Sequence, residues 1–354
     1  MAKILMKGNE AIGAAAIKAG CKFFFGYPIT PQNEVPEYMS REMPKNGGVF
    51  LQAESEVAAI NMVYGAAGAG ARVMTSSSSP GIALKQEGIT YIAGAELPCV
   101  IVNIVRGGPG LGGIQPSQSD YNQVTRGGGN GDYKLLVFAP ANLQEMVDLM
   151  QEAFDAADYY RNPVMVVGDG MIGQMMEPVE FKEIKTKYQL PAKDWATVGT
   201  KDSRKPNIVN SLFLDPAKLE EHNHRLQEKY NLIKENEVRF EAVGLEDADV
   251  VMVAYGTTSR IARNAILLLK EQGLKVGLIR PITLWPFPMK AFDAIPASCK
   301  AILSVEMSMG QMIDDIKIAS NGRWPVEFYG RAGGMIPTPE AIRDKVVEIM
   351  GGAK

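Results

Sequence analysis

The stretch from Val49 to Gly81, VFLQAESEVAAINMVYGAAGAGARVMTSSSSPG, constrains this chain more than any other. It reads as strand, helix, strand and a serine–glycine turn, which is one βαβ unit with a parallel crossover. From Val57 to Ala69 only Asn61 and Tyr64 carry polar side-chain atoms. Such a helix offers water no face and is expected to be buried all round, its alanines and glycines letting neighbouring backbones approach. Glu54, Ser55 and Glu56 nevertheless open it. Two readings stand: the carboxylates complement the positive end of the helix, worth about 0.3–1 kcal/mol, or one of them is a buried acid with a raised pKa, set for proton transfer. On this segment alone the first is the simpler.

The rest of the first half repeats the alternation. A helix over Lys7–Gly20, with Asn9 as N-cap and Gly20 as stop, precedes the strand CKFFFGYP, the turn Ile29-Thr30-Pro31 and an amphipathic helix near Asn33–Met43. After the central unit come a helix over about Ile82–Gly94, the apolar strand Cys99–Val105, a glycine-rich loop GGPGLGG and a polar loop from Gln115 to Asp132. A strand at Leu135–Phe138, a helix at Asn142–Tyr160 and a strand at Val164–Val167 follow. Short apolar strands separated by helices predict an α/β fold with an open, doubly wound parallel sheet. Ligands of such sheets sit at the carboxyl ends of the strands. Thr30, Glu56, Ser76 to Ser79 and Arg106 all fall at or just beyond those ends.

From about Glu177 to Glu246 charges crowd and periodicity weakens, which reads as a connector with a solvated helix over Leu219–Phe240. His222 and His224, two apart, point to different helix faces and make a poor metal pair. A second α/β unit runs from Asp249: VVMVAYG, the helix Ser259–Gln272, KVGLIRP, KAILSVE, PVEFYG and a helix over Thr338–Met350. Gly256-Thr-Thr-Ser at its first turn suits either an anion or ordinary helix capping, the latter being preferred. The expected ranges are 1–176, 177–246 and 247–354. A net charge of −3 gives no reason to expect nucleic acid or an acidic membrane as partner. No apolar run is long enough to cross a bilayer and no signal peptide is read. Cys21, Cys99 and Cys299 are scattered singly, read as buried free thiols of a cytoplasmic protein, and offer no zinc or cluster spacing.

GYPITP (Gly26–Pro31), ESEVAA (Glu54–Ala59) and the arginine–glycine loop opening at Arg106 stand together with KGNEA, TSSSSPG and DVVMVAYGTTSRIARNAI. This combination resembles, over nearly the whole chain, the alpha subunits of the 2-oxoacid:ferredoxin oxidoreductases. Within them it is most similar to the branch acting on 3-methyl-2-oxobutanoate (2-ketoisovalerate). The resemblance implies that the first unit is a thiamine-diphosphate pyrimidine-binding domain and the second resembles the transketolase C-terminal domain. It implies oxidative decarboxylation of the 2-oxoacid with coenzyme A, giving an acyl-CoA, carbon dioxide and reduced ferredoxin.

Carried onto this sequence, the resemblance makes Glu56 the catalytic carboxylate at the cofactor's pyrimidine nitrogen, with Glu54 as competitor. Thr30 would face the substrate, and Arg106 would hold the 2-oxoacid carboxylate, a task suited to a bidentate guanidinium. Tyr27, Pro28, Ile29 and Ser78 are expected beside the cofactor. Gly168-Asp169-Gly170 looks like the first half of a diphosphate motif, but no Asn pair follows it. It is therefore read as a strand-end turn. The diphosphate and Mg2+ would then come from a beta subunit that also carries an iron–sulfur cluster. Ferredoxin-like and gamma subunits would carry further clusters, with ferredoxin as acceptor. A 2-oxoglutarate enzyme would need a second cation, for which Arg126 is available, whereas Ile29 and Ile114 suit an apolar pocket. A non-catalytic binding protein on the same fold is the reading from another class. A NAD-linked Rossmann enzyme fails because Gly107–Gly113 opens no helix.

Overall fold

The computed structural model describes residues 3–200 and 202–351; the ends of the expected ranges 1–176 and 247–354, residues 1–2 and 352–354, lie outside them. The first half runs β1 (Ile4–Lys7), α1 (Gly8–Lys18), β2 (Phe23–Gly26), α2 (Glu34–Glu42), β3 (Val49–Gln52), α3 (Glu56–Gly68), β4 (Val73–Ser77), α4 (Ser79–Gly94), β5 (Cys99–Val105), α5 (Tyr121–Arg126), β6 (Leu136–Phe138), α6 (Leu143–Tyr160), β7 (Pro163–Asp169), α7 (Gly170–Gln174) and β8 (Met176–Val179). A long irregular segment leads to α8 (Pro216–Asn236). The second half is β9 (Phe240–Val243), β10 (Val250–Val253), α9 (Gly256–Glu271), β11 (Val276–Pro281), β12 (Thr283–Trp285), β13 (Ala301–Glu306), α10 (Met312–Ser320), β14 (Val326–Gly330) and α11 (Pro339–Ile349).

The six strands expected in the first half form one parallel sheet, and β12 adds to it from the second half, in the order β12-β6-β7-β5-β4-β2-β3. β4, β5 and β7 are buried throughout, as runs covered by helices on both faces must be. The second sheet, β14-β13-β10-β11-β9, is parallel except for β9, which pairs antiparallel with β11. Both sheets therefore carry one antiparallel edge strand that the alternation pattern did not predict. β1 and β8 form a separate antiparallel pair.

Four local expectations change. The helix α3 is not buried all round: Val57 is 43% exposed, and Asn61, Gly65 and Ala69 continue the exposed stripe at four-residue spacing. Composition reports how apolar a helix is, not whether its own chain covers it. Asn9 is not an N-cap, because helical geometry already holds at Gly8. Its amide instead donates to Pro31 O (2.8 Å) and Glu34 Oε2 (2.8 Å), tying α1 to the loop after β2. The helix α8 is not simply solvated, since His222, Leu226, Tyr230 and Ile233 form a buried stripe along it. The ring of His222 stacks on Phe213 and its Nε2 lies 2.7 Å from Gly94 O. At α9 the expected hydroxyl cap does not form. Tyr255 holds the N-cap position without a side-chain bond, and Gln118 from the first half takes the Thr258 hydroxyl at 2.7 Å.

Candidate active site

The site is assembled at the carboxyl ends of β2, β4 and β5. Register sets Ser76 opposite Val102 and Ser77 opposite Asn103, so the serine turn and the loop opening at Arg106 leave the sheet side by side. Ser55 Oγ accepts from Ala58 N (3.1 Å) and caps α3, which starts that helix with Glu56 at its first position. Glu56 is 6% exposed, whereas Glu54 is exposed. Two carboxylates in one turn thus separate into a buried and a solvated one. Among the described residues no hydrogen bond reaches the Glu56 carboxylate. Its room is made by Gly81. A Cβ placed there would lie 2.8 Å from Glu56 Oε1 and 2.1 Å from Ser77 Oγ, closer than any side chain tolerates.

Arg106 and Thr30 come together through the backbone. Arg106, 7% exposed, donates from Nη1 to Thr30 O (2.8 Å) and from Nη2 to Leu111 O (3.1 Å), while its Nε is buried without a partner. Ser79 Oγ accepts from Arg106 N at 3.0 Å, which joins α4 to the loop. The hairpin-like return of that loop requires glycine at position 112: φ is +59°, and a Cβ would sit 1.9 Å from Gly107 O. The Thr30 loop is pinned from behind, because Pro31 O accepts from both Asn9 and Gln174 Nε2 (3.1 Å). Thr30 Oγ1 accepts from Asn33 at 3.3 Å, leaving its proton free to donate. Tyr27 and Ile29 are half-buried in the same loop, Pro28 is exposed, and Ile114 is exposed beyond it.

Ser78 stands at the N-cap of α4 but its hydroxyl makes no capping bond. Ser78 Oγ, Ser77 Oγ, Thr75 Oγ1 and Gln32 Nε2 are buried polar atoms without protein partners. Such groups are costly unless satisfied, so a cluster of them around the carboxyl end of β4 fits a polar ligand better than a closed core. Asp169, by contrast, is used up. Its Oδ1 accepts from Met171 N (2.8 Å) and Ile172 N (3.1 Å) as the cap of α7, and burial raises its carboxyl above the usual range. Arg126 is also committed, bidentate on Asp315 of α10 at 2.9 and 3.1 Å.

Sequence reasoning missed Lys85. It is fully buried on α4, donates among the described residues only to Ser76 O at 3.5 Å, and burial lowers its pKa to about 8 against the opposing pull of Glu56. The available signal was one lysine inside SPGIALKQEG, between Leu84 and Gln86.

Residues 14–241 match the family model described as pyruvate flavodoxin/ferredoxin oxidoreductase, thiamine diphosphate-binding, and residues 248–342 match pyruvate:ferredoxin oxidoreductase core domain II. The chain belongs to the 2-oxoacid:ferredoxin oxidoreductases. It is 52% identical to a ketoisovalerate oxidoreductase subunit VorB of Methanothermobacter thermautotrophicus, over 99% of both chains. Among solved structures of this family it superimposes on the 2-oxoglutarate:ferredoxin oxidoreductase of Magnetococcus marinus with a TM-score of 0.86 and 31% identity. That match covers 98% of this chain and 65% of the other, so this chain spans about two thirds of that one's length. A split-gene transketolase matches at a TM-score of 0.59 and 13% identity over 99% of both chains, a likeness of fold alone. As an oxidoreductase subunit of this family, the chain works with partner subunits in a multi-subunit enzyme. Among its described residues no helix is long and apolar enough to cross a membrane.

Proposed function

We propose that this chain supplies the pyrimidine side of a thiamine-diphosphate site in an enzyme that oxidatively decarboxylates 3-methyl-2-oxobutanoate. With coenzyme A the products are the branched acyl-CoA, carbon dioxide, a proton and two electrons, passed singly to ferredoxin. The observation that carries the reading is the Glu56 carboxylate, buried at the mouth of α3, without a hydrogen bond among the described residues, and sharing the space beside Gly81 with the orphaned hydroxyl of Ser77. When bound, thiamine diphosphate supplies the nucleophilic carbon and the electron sink for decarboxylation. Glu56 holds a proton at the pyrimidine ring nitrogen, in a pocket whose small residues exclude water. Arg106 holds the 2-oxoacid carboxylate, with its Nε and the outer edges of its fork free beyond the bonds to Thr30 and Leu111. Thr30 donates its hydroxyl proton toward the 2-oxo oxygen, while Tyr27, Pro28, Ile29 and Ser78 wall the cofactor.

Because Asp169 is spent on capping α7, the diphosphate and Mg2+ belong on a beta subunit, which also carries a cluster. The remaining clusters belong on ferredoxin-like and gamma subunits. The branched acid is favoured by the 52% identity to a ketoisovalerate enzyme against 37% to 2-oxoglutarate synthase subunits, and by Arg126, the candidate second cation, being bound to Asp315. The cytoplasm suits the three buried free thiols. Viologen reduction by the native complex, supplied with thiamine diphosphate, Mg2+ and coenzyme A, tests the reading. Fastest turnover is expected with 3-methyl-2-oxobutanoate and its near-complete loss in Glu56→Gln. Preference for 2-oxoglutarate would overturn the substrate, and full turnover in Glu56→Gln would overturn the site.

A further inference from the structure

We propose that Lys85 is a positioning residue for Glu56: a buried ammonium on α4 that holds the aim of the carboxylate at the mouth of α3. The inference rests on the reading of Glu56 as the group that holds the pyrimidine proton. The packing of α3 on α4 places the two residues. On α4, Gly81 gives way to Glu56, whose Oε1 lies 2.8 Å from where a Cβ would stand, and Gly88 gives way to Ile60, whose Cγ2 lies 2.5 Å from its own. Lys85 is one turn after Gly81 and three residues before Gly88 on the same stripe of α4. Glu56 is one turn before Ile60 on the facing stripe of α3. The lysine is therefore threaded through the seam between the two glycine contacts.

Its surroundings give it little else to do. Lys85 is fully buried and its single acceptor, Ser76 O, is a long 3.5 Å away. Among the described residues no carboxylate comes within ion-pair distance of it. The groups facing it can be named element by element. The helix α3 brings Glu56, and β4 brings the uncharged carbonyl of Ser76. On α4 itself the nearest acid, Glu87, is exposed and accepts from Tyr91 at 2.7 Å. An ammonium so poorly paired weakens a fold, and buried polar groups of that kind are kept for what they do to a neighbour. Burial lowers the Lys85 pKa to about 8, and Glu56 is the acid that opposes the shift. The amine therefore remains cationic at neutral pH, and Glu56 has its counter-charge across the seam. Without that charge the carboxylate at the end of an apolar helix would lose the field that orients it.

The test uses the assembled complex loaded with thiamine diphosphate and no 2-oxoacid. The rate at which the thiazolium C2 proton of the bound cofactor exchanges with deuterium is read by acid quench and NMR across pH. Wild type, Lys85→Met, Lys85→Gln, Lys85→Arg and Glu56→Gln are compared, with cofactor affinity and thermal midpoint measured alongside. The two neutral variants are expected to exchange at least tenfold more slowly at neutral pH, with the pH profile of exchange displaced from that of wild type. Their cofactor affinity should stay within threefold and their thermal midpoint should not fall. The arginine variant should recover part of the rate. If Lys85→Met fails to assemble, Lys85→Gln carries the same measurement. A slow Glu56→Gln beside Lys85→Met and Lys85→Gln with wild-type rate and pH profile would overturn the role of Lys85 while the Glu56 reading stands. A wild-type rate in Glu56→Gln would overturn that reading, and the role of Lys85 with it.

Discussion

Substituting alanine for Gly81 places one methyl group where the carboxylate and the serine turn meet. The new carbon would lie 2.1 Å from Ser77 Oγ, 2.8 Å from Glu56 Oε1 and 3.1 Å from Glu56 Cγ. Ser77 must swing its hydroxyl away by about an ångström, and the carboxylate must recede by a few tenths of an ångström to restore van der Waals contact. Overpacking of this kind costs about 1–3 kcal/mol, and replacing a helical glycine returns up to ~1 kcal/mol, so a net loss of ~1–2 kcal/mol is expected in thermal or urea unfolding. Turnover should suffer far more, by up to ~100-fold, because a catalytic group misplaced by as little as an ångström loses its alignment. The control lies in the same seam. An alanine at Gly88 would meet Ile60 at 2.5 and 2.8 Å, so Gly88→Ala should lose comparable stability while viologen-linked turnover stays within about threefold. Equal losses of turnover in the two variants would refute the argument, since only one of them touches Glu56.

Three further outcomes are expected. Gln118 ties the halves together, donating from Nε2 to Tyr255 O (2.9 Å) and accepting at Oε1 from Thr258 (2.7 Å) and Met307 N (3.0 Å). Gln118→Ala should cost ~2–4 kcal/mol and split the calorimetric unfolding of the chain into two transitions; one unshifted transition would refute it. Asp169→Asn keeps the oxygen that caps α7, so stability should change by less than ~1 kcal/mol and cofactor affinity should hold; a tenfold loss of affinity would restore Gly168-Asp169-Gly170 as a diphosphate site. Lys85 titrates near 8 in the fold against an ordinary 10.5, so the unfolded chain holds its proton more tightly. Between those values stability should therefore rise with pH, by up to ~3 kcal/mol relative to Lys85→Met, and urea unfolding at pH 7.5 and 10 with the opposite difference would refute the burial.

What the sequence made legible was what local pattern controls. The apolar strands, the glycine and proline punctuation and the strand-end positions of Thr30, Glu56 and Arg106 all follow from periodicity and turn chemistry. Choosing Glu56 over Glu54 needed the resemblance, because adjacent carboxylates in one turn look alike until the fold buries one of them. Lys85 was passed over because a lysine in an apolar helix is normally assigned to solvent, and its burial depends on glycines whose partners belong to another helix. The stripe His222, Leu226, Tyr230 and Ile233 was present at helical spacing but diluted by seven Lys and Glu residues from Lys218 to Glu235. β12 is three residues long and its pairing partner lies far away in the chain, so no local pattern announces it.

That last strand matters for how the protein is made. β6 has its outer edge completed only when Thr283 pairs with Phe138 and Ala139 N finds Ile282 O at 2.8 Å. On a ribosome adding about 5–20 residues each second, the roughly 150 residues between them take on the order of 10–30 s to appear. For that interval the first domain exists with a bare sheet margin of Leu136, Val137 and Phe138, the kind of template on which other nascent chains add strands. Cutting the gene between the two halves would make the interval permanent. The first fragment alone should therefore collect in inclusion bodies, and co-expression of the second fragment should bring it back into solution.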